Sequence, residues 1–318
     1  MKTTHTTCLR QTGLTLVEIL VAMVISLILM AGVLQIFQAN KQSFRVQESL
    51  SLIQENGRTA MRILTEDLRM AAYWGCRSRD INIGEYITDN LDPAGAGYMD
   101  LLANGGVTGT NGAGVDPDSI TISGARSIGI PVSVNMADTT ANISITDSSG
   151  LEPGDIMLIT DCEAGNIFQI TNAASLGPAD PIEHAIGGGS PGNLTAELGR
   201  AYDTDKTMVF QTRQATYTIS PDPDSGEPSL SLTEGGGAPV VLVESIEDLQ
   251  ILFGEQPDPT TGDMRYVPAD DPALNMGQVH SLRITLVARS IATNVAVGGD
   301  GRLRRTFNTT ISIRNRNP

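Results

Sequence analysis

The sequence predicts an α+β protein. A long N-terminal helix, first transmembrane and then amphipathic, packs on a largely antiparallel β-sheet head that carries a β-rich insertion. Three observations lead there. Leu14–Phe37 is an apolar run whose only charge is Glu18. No proline occurs between Met1 and Tyr73, so nothing breaks a helix over that length. Beyond Tyr73 the chain turns rich in glycine and proline, and short apolar segments recur between turn signals.

The apolar run comes first. Its 24 residues, at about 1.5 Å rise each, reach roughly 36 Å and can cross a bilayer's hydrocarbon core. Lys2 and Arg10 lie in a short polar leader before it, so the positive-inside rule keeps the N-terminus cytoplasmic and sends the rest outward. The leader stops at Gly13, ahead of the apolar run. A cut there leaves the membrane segment on the mature chain, unlike a secretory signal, whose cleavage site follows its apolar core. A carboxylate inside a membrane helix costs on the order of 2.5–3.5 kcal/mol and calls for a partner. Glu18 would be fifth from a new terminus at Leu14, whose free amine, on the same or a neighbouring subunit, supplies the cation. Such pairing makes the segment a register-setting assembly element.

After Phe44 the pattern changes. Val46, Leu50, Ile53, Gly57, Ala60, Leu64, Leu68 and Ala71 fall at helical spacing on one stripe. Glu55 with Arg58, and Arg62 with Glu66, can pair across a turn for a few tenths of a kcal/mol. The expectation is one helix of about 59 residues, near 90 Å long, ending near Tyr73-Trp74-Gly75. Gly32 and Gly57 each weaken it by about 1 kcal/mol against alanine, unless they serve bending or close approach.

The head follows. Residues 80–117 read as a long turn-rich loop. Strand candidates are Ser119–Ser123, Pro131–Val134, Ile143–Thr146, Ile156–Thr160, Ile167–Thr171, Thr207–Phe210, Ala215–Ser220, Ser229–Thr233 and Val240–Val243. The stretch Val243–Phe253 leads into a loop. Val279–Arg289 and Phe307–Arg314 alternate as sheet partners joined through Gly298–Gly301, with apolar faces toward the amphipathic helix. The organisation expected is a leader at 1–13, a membrane or filament-core helix at 14–37, its amphipathic continuation at 38–73 and a β-rich head at 74–318, with an insertion between Cys76 and about residue 240.

Composition narrows the function. A formal charge of −15 repels nucleic acid, and no basic stripe offsets it. There is no nucleophile elbow, Walker loop or zinc spacing; Gly97–Gly114 lacks the Lys-Ser/Thr of a phosphate cradle. His184 and His280 stand alone and read as ordinary surface or strand histidines. The chain is therefore expected to be non-catalytic and without a cofactor. The acidic stretches Asp222–Glu227 and Asp258–Asp271 could hold Ca²⁺, but neither has EF-hand spacing, and solvated loops are the plainer reading. Asn142, Asn193 and Asn308 open glycosylation-type triplets that arise this often by chance. Once the leader with Cys8 is gone, Cys76 and Cys162 remain as an even pair. In an exported head that reads as a disulfide closing about 85 residues, roughly 4 kcal/mol of chain entropy, with two separate buried thiols as the alternative.

Gly13-Leu14-Thr15-Leu16-Val17-Glu18 followed by an apolar helix resembles the signal of type IV prepilins and type II secretion pseudopilins. The resemblance implies that a prepilin peptidase cuts after Gly13, that Leu14 becomes the N-methylated first residue, and that Glu18 is the assembly carboxylate. Leu14 departs from the usual phenylalanine. The segments Glu244–Gly254, Ser281–Ser290 and Arg305-Thr306-Phe307, with Asp161-Cys162 before Ile167–Ile170, look like PilW-type minor pilins. That implies a type IV pilus role in priming assembly and in the tip complex that supports adhesion and twitching motility. Expected partners are other minor pilins, the major pilin and a tip adhesin, with residence in the inner membrane before export to the pilus. The J-type pseudopilin of type II secretion is the relative most easily confused with it, and the long Gly-rich head favours the pilus. An alternative of another class is a head that itself binds ligand as an adhesin.

Overall fold

A computed structural model describes residues 15–77, 83–114, 116–126, 129–258, 260 and 262–316. Helix α1, Leu16–Met70, runs 55 residues without a break. Every large apolar side chain from Leu16 to Phe37 is exposed, and one apolar on all sides belongs in lipid or among other helices. Further along, Ile53, Gly57, Ala60, Leu64 and Leu68 are buried. Their steps of four and three residues form the predicted stripe, although Leu50, expected on it, is exposed. Two compact units divide the chain: Met1–Ser51 with Ala292–Leu303, and Leu52–Ile291 with Arg304–Pro318.

The helix stops three residues before the expected place. Ala72 takes a left-handed φ of 60°, and its N–H leaves the helical ladder for the carbonyl of Ser123 at 3.0 Å. The last carbonyls do not go unpaired. The Asn315 side chain donates to Met70 O and Ala71 O, both at 3.0 Å, so the far end of the chain caps this helix. Its neighbour Arg316 is buried and donates to the backbone carbonyls of Asn104, Met276 and Val279. Burial pushes its guanidinium down to about 10, which leaves it charged at neutral pH.

The larger sheet has nine strands among the described residues. These are β1 (Ile87–Asp89), β2 (Val107–Thr110), β3 (Ser119–Ala125), β4 (Ile130–Pro131), β5 (Ile156–Thr160), β6 (Gly165–Gln169), β7 (Met208–Pro221), β8 (Pro228–Glu234) and β9 (Val240–Glu244). Its main path runs β1-β6-β5-β7-β3-β2, with β4 and β8 also on β7 and β9 on β8. Each pairing is antiparallel except β1 with β6. The 14-residue β7 organises it, taking β4 and β5 along its first part and β3 and β8 along its second. Alternate residues of its inner strands feed two cores. Met157, Ile159, Phe168 and Val209 join Ile143, Ile170, Leu176 and Tyr202, while Leu158, Ile167 and Phe210 join Trp74, Ile83, Leu91 and Leu101. Burial on both faces explains why β5 reads as a continuous apolar run rather than an alternating one.

The smaller sheet has the order β11-β10-β12-β13, all antiparallel: β10 (Ile246–Glu255), β11 (Arg265–Val267), β12 (Val279–Arg289) and β13 (Arg304–Ser312). Leu249, Ile251 and Phe253 pair with Leu286, Ile284 and Leu282, and Phe307 and Ile311 continue that face on β13. The expected β12–β13 partnership is present.

Several expectations need correction. Residues 80–117 are not one long loop: they hold helix α2 (Ile83–Tyr86), β1, a short 3₁₀ turn at Ala103–Gly105 and β2, anchored by buried Ile83, Ile87, Leu91, Leu101 and Val107. Thr207–Phe210 and Ala215–Ser220 are one strand, β7. Ile143–Thr146 makes only single bridges, Ile143 to Ile182 and Ile145 to Val132. Val243–Phe253 is mostly β10, whose alternation is broken by a bulge between Ile246 and Asp248. β6 starts two residues ahead of the expected Ile167.

Cys76, in the turn Gly75–Arg77 after α1, is disulfide-bonded to Cys162 in the β5–β6 turn. The 86-residue separation corresponds to about 4.5 kcal/mol in the chain-entropy picture.

Close packing of helix on sheet rests on Gly57. A methyl group added there would overlap the Phe307 ring. Gly57→Ala should gain about 1 kcal/mol of helix propensity yet lose about 1–3 kcal/mol to overpacking, for a net fall in melting temperature. In a Phe307→Ala background the same change should become neutral or stabilising. Thermal unfolding of the four proteins of this cycle checks the sign change.

Candidate assembly site

Gly13 and Leu14, the expected processing residues, lie outside the described residues, as does Cys8. The structure begins at Thr15, and there it explains Glu18 locally. Thr15 precedes α1 and its Oγ1 accepts the Glu18 N–H at 3.3 Å, while Glu18 Oε2 accepts both the Thr15 N–H and its hydroxyl at 3.0 Å. This is a capping box, Thr-x-x-Glu, with two end groups of the helix satisfied reciprocally. Sequence reasoning missed it, although the spacing from Thr15 to Glu18 is its signature. Glu18 is also the acidic residue of the helix's first turn, where the macrodipole favours a negative charge. The carboxylate therefore has donors within its own chain, and a cation is an addition to them.

A second polar site fastens the helix to the head. Asp67, on the same helix near its end, makes a two-pronged ion pair with Arg213 of β7 at 2.9 Å and accepts a hydrogen bond from the Tyr217 hydroxyl. Arg213 also reaches Glu234 of β8 at 2.8 Å. Burial alone would depress the Arg213 guanidinium, but the hydrogen bond and charge of Asp67 hold it above its ordinary value. Burial and the same Asp67 push the Tyr217 phenol up. Beside this cluster an apolar cleft is lined by Met70, Tyr73, Ala125, Met208 and Phe210. Of its charged groups, Asp67 and Arg213 are spent on each other and Arg126 pairs with Glu234 at 3.5 Å.

On the smaller sheet, Glu247 bridges Arg289 at 3.0 Å and Arg304 at 2.8 Å, and Arg289 also pairs with Glu227 at 2.8 Å. The Arg304 hydrogen bond, against the opposing effect of burial and with help from Arg289, holds the Glu247 carboxyl below its ordinary value.

The remaining residues singled out from the sequence fall apart in space. His184 is buried against Phe168, not at the surface, with Nε2 at Ala141 O. His280 bonds Arg316 O. Asp222 Oδ1 accepts the N–H groups of Asp224 and Ser225 within its own turn, while Glu227 turns away to Arg289. Asp258 and Asp271 likewise take local donors. Among the described residues no three His, Cys, Asp or Glu side chains are grouped to hold a metal. Asn193 is buried and bonded to the Gln169 backbone, which closes it to glycosylation.

Comparison with known proteins bears on both ends of the chain. Residues 8–34 match the prokaryotic N-terminal methylation motif, which spans Gly13, Leu14 and Glu18. Residues 216–315 match the family described as Type IV Pilus-assembly protein W. That second segment runs from the later part of β7 through the smaller sheet to the Asn315 cap. No curated protein matches the chain. Among solved structures, a type IV-like pilin from Thermus thermophilus is 12% identical, with 85% of this chain and 98% of that one covered and a TM-score of 0.30.

The Glu247 network gives a pH prediction. Its folded pKa lies below the ordinary 4.5, so its stabilisation is complete above that value and is lost as pH falls through the folded pKa. Glu247→Gln should lower the melting temperature at neutral pH, and its gap to the unsubstituted protein should close on acidification toward pH ~3. Melting curves across that range check it.

The chain thus resembles type IV pilin-like proteins at both ends: a methylation motif heads its apolar helix, and its C-terminal sheet matches the pilus-assembly W family.

Proposed function

We propose that this chain is a non-catalytic minor pilin that primes assembly of a type IV pilus and belongs to the tip complex supporting adhesion and motility. The observation that carries the reading is α1: one helix, exposed and apolar on all sides from Leu16 to Phe37, with Glu18 its single charge over that stretch. A prepilin peptidase removes residues 1–13 and Leu14 becomes the N-methylated terminus. The N-terminus faces the cytoplasm and the head the periplasm while the apolar half of α1 sits in the inner membrane. On extraction that half enters a bundle with the helices of other minor pilins and the major pilin, and a tip adhesin completes the complex. Inside such a bundle Glu18 keeps its cap from Thr15 and adds a cation, the amine of Leu14 on its own or a neighbouring subunit.

Glutamine can close a capping box as glutamate does, but it brings no charge. Glu18→Gln and Glu18→Ala should therefore both insert in the membrane and both fail to reach sheared pili, with fewer pili per cell. Counting pili and blotting the sheared and membrane fractions checks this. A Glu18→Gln chain that assembles normally would leave the cap in place and remove the ion pair from the mechanism.

A further inference from the structure

We propose that the loop between β12 and β13 is a second membrane contact, inserting Val297 at the headgroup boundary of the bilayer that holds α1. The inference rests on reading the apolar half of α1 as a membrane anchor, and it starts from where the loop is tied. Gln42 Nε2 donates to Asn294 O at 2.7 Å, and Ala292–Leu303 forms one compact unit with the helix up to Ser51. Gln42 lies five residues beyond Phe37, about 7 Å along the axis. The headgroup layer is about 5–8 Å deep on each side of the hydrocarbon core, so the tie falls at its outer edge.

The loop is built rather than loose. Val295 N and Ala296 N both donate to Gly301 O, and Val295 is buried. Gly301 sits at φ 73°, where a Cβ would strike the Asn294 backbone. The side chain this fold leaves outermost is apolar: Val297 is fully exposed. Three residues of chain separate it from Asn294, at most about 10 Å, so the tip is within reach of the lipid. Lys41 and Arg45 are exposed on the helix on either side of Gln42: Lys41, roughly 6 Å beyond Phe37, lies within the headgroup layer, and Arg45, roughly 12 Å beyond, is outside it and reaches back with its long side chain. Glu48 lies farther out, and the Asp300 carboxylate accepts the Arg302 N–H within the loop.

The test uses the full chain with Cys8→Ser, reconstituted in phosphatidylcholine/phosphatidylglycerol vesicles. A fluorophore is placed through Val297→Cys, with Val33→Cys in the apolar helix and Asn142→Cys in the head as references, and brominated lipid is the quencher. Labels at 33 and 297 should be quenched and that at 142 should not. Quenching at 33 with a label at 297 that behaves like 142 overturns the inference while leaving the anchor standing. A label at 33 that escapes quenching removes the anchor and the inference together. Lys41→Gln with Arg45→Gln should weaken tip insertion in the anionic vesicles by roughly five-fold per residue; unchanged quenching at 297 would overturn the role of those two side chains.

Discussion

One helix has to satisfy two surroundings. From Leu16 to Phe37 it offers apolar side chains in every direction; from Ile53 to Leu68 it offers a single buried stripe, with Met61 and Ile63 half-buried beside it and polar residues over the rest. Hydrophobic burial rewards the first half only in lipid or among like helices, and rewards the second only against a sheet. Neither half could exchange roles with the other. The capping box at Thr15 and Glu18 begins this helix and the Asn315 amide finishes it, so its end groups are met by partners chosen for each end.

The head grips the second half at points drawn from distant parts of the chain. Phe307 lies over Gly57, Arg213 and Tyr217 close on Asp67, Asn315 caps the last carbonyls, and the Cys76–Cys162 bond ties the turn after the helix to the β5–β6 hairpin. The contacts differ in kind. Phe307 contributes apolar area, the Asp67 cluster contributes a half-buried, two-pronged ion pair, and the disulfide acts chiefly on the unfolded chain in the chain-entropy picture.

How far all this was legible depends on distance along the chain. The helical stripe is periodic and local, so Ile53, Ala60, Leu64 and Leu68 could be read directly, and alternation marked β12 and β13. β5 was legible from β-branched composition between turn signals even though it does not alternate. The buried pieces between Ile83 and Val107 were hidden because each is only a few residues long and glycines punctuate them. β10 lost its alternation to the bulge after Ile246. The partnership of Asp67 with Arg213, 146 residues away, has no local sign at all. Glu18 is the instructive case: its charge in an apolar run was conspicuous, and that drew attention from the threonine three residues earlier that binds it.

The central claim is that the mature chain starts at Leu14, ahead of this helix, and travels into a pilus. Intact-mass measurement of the chain recovered from sheared pili tests it most directly. The account predicts a species lacking residues 1–13, carrying one added methyl group and retaining the Cys76–Cys162 bond. A chain found only in the membrane fraction with its leader attached would contradict it.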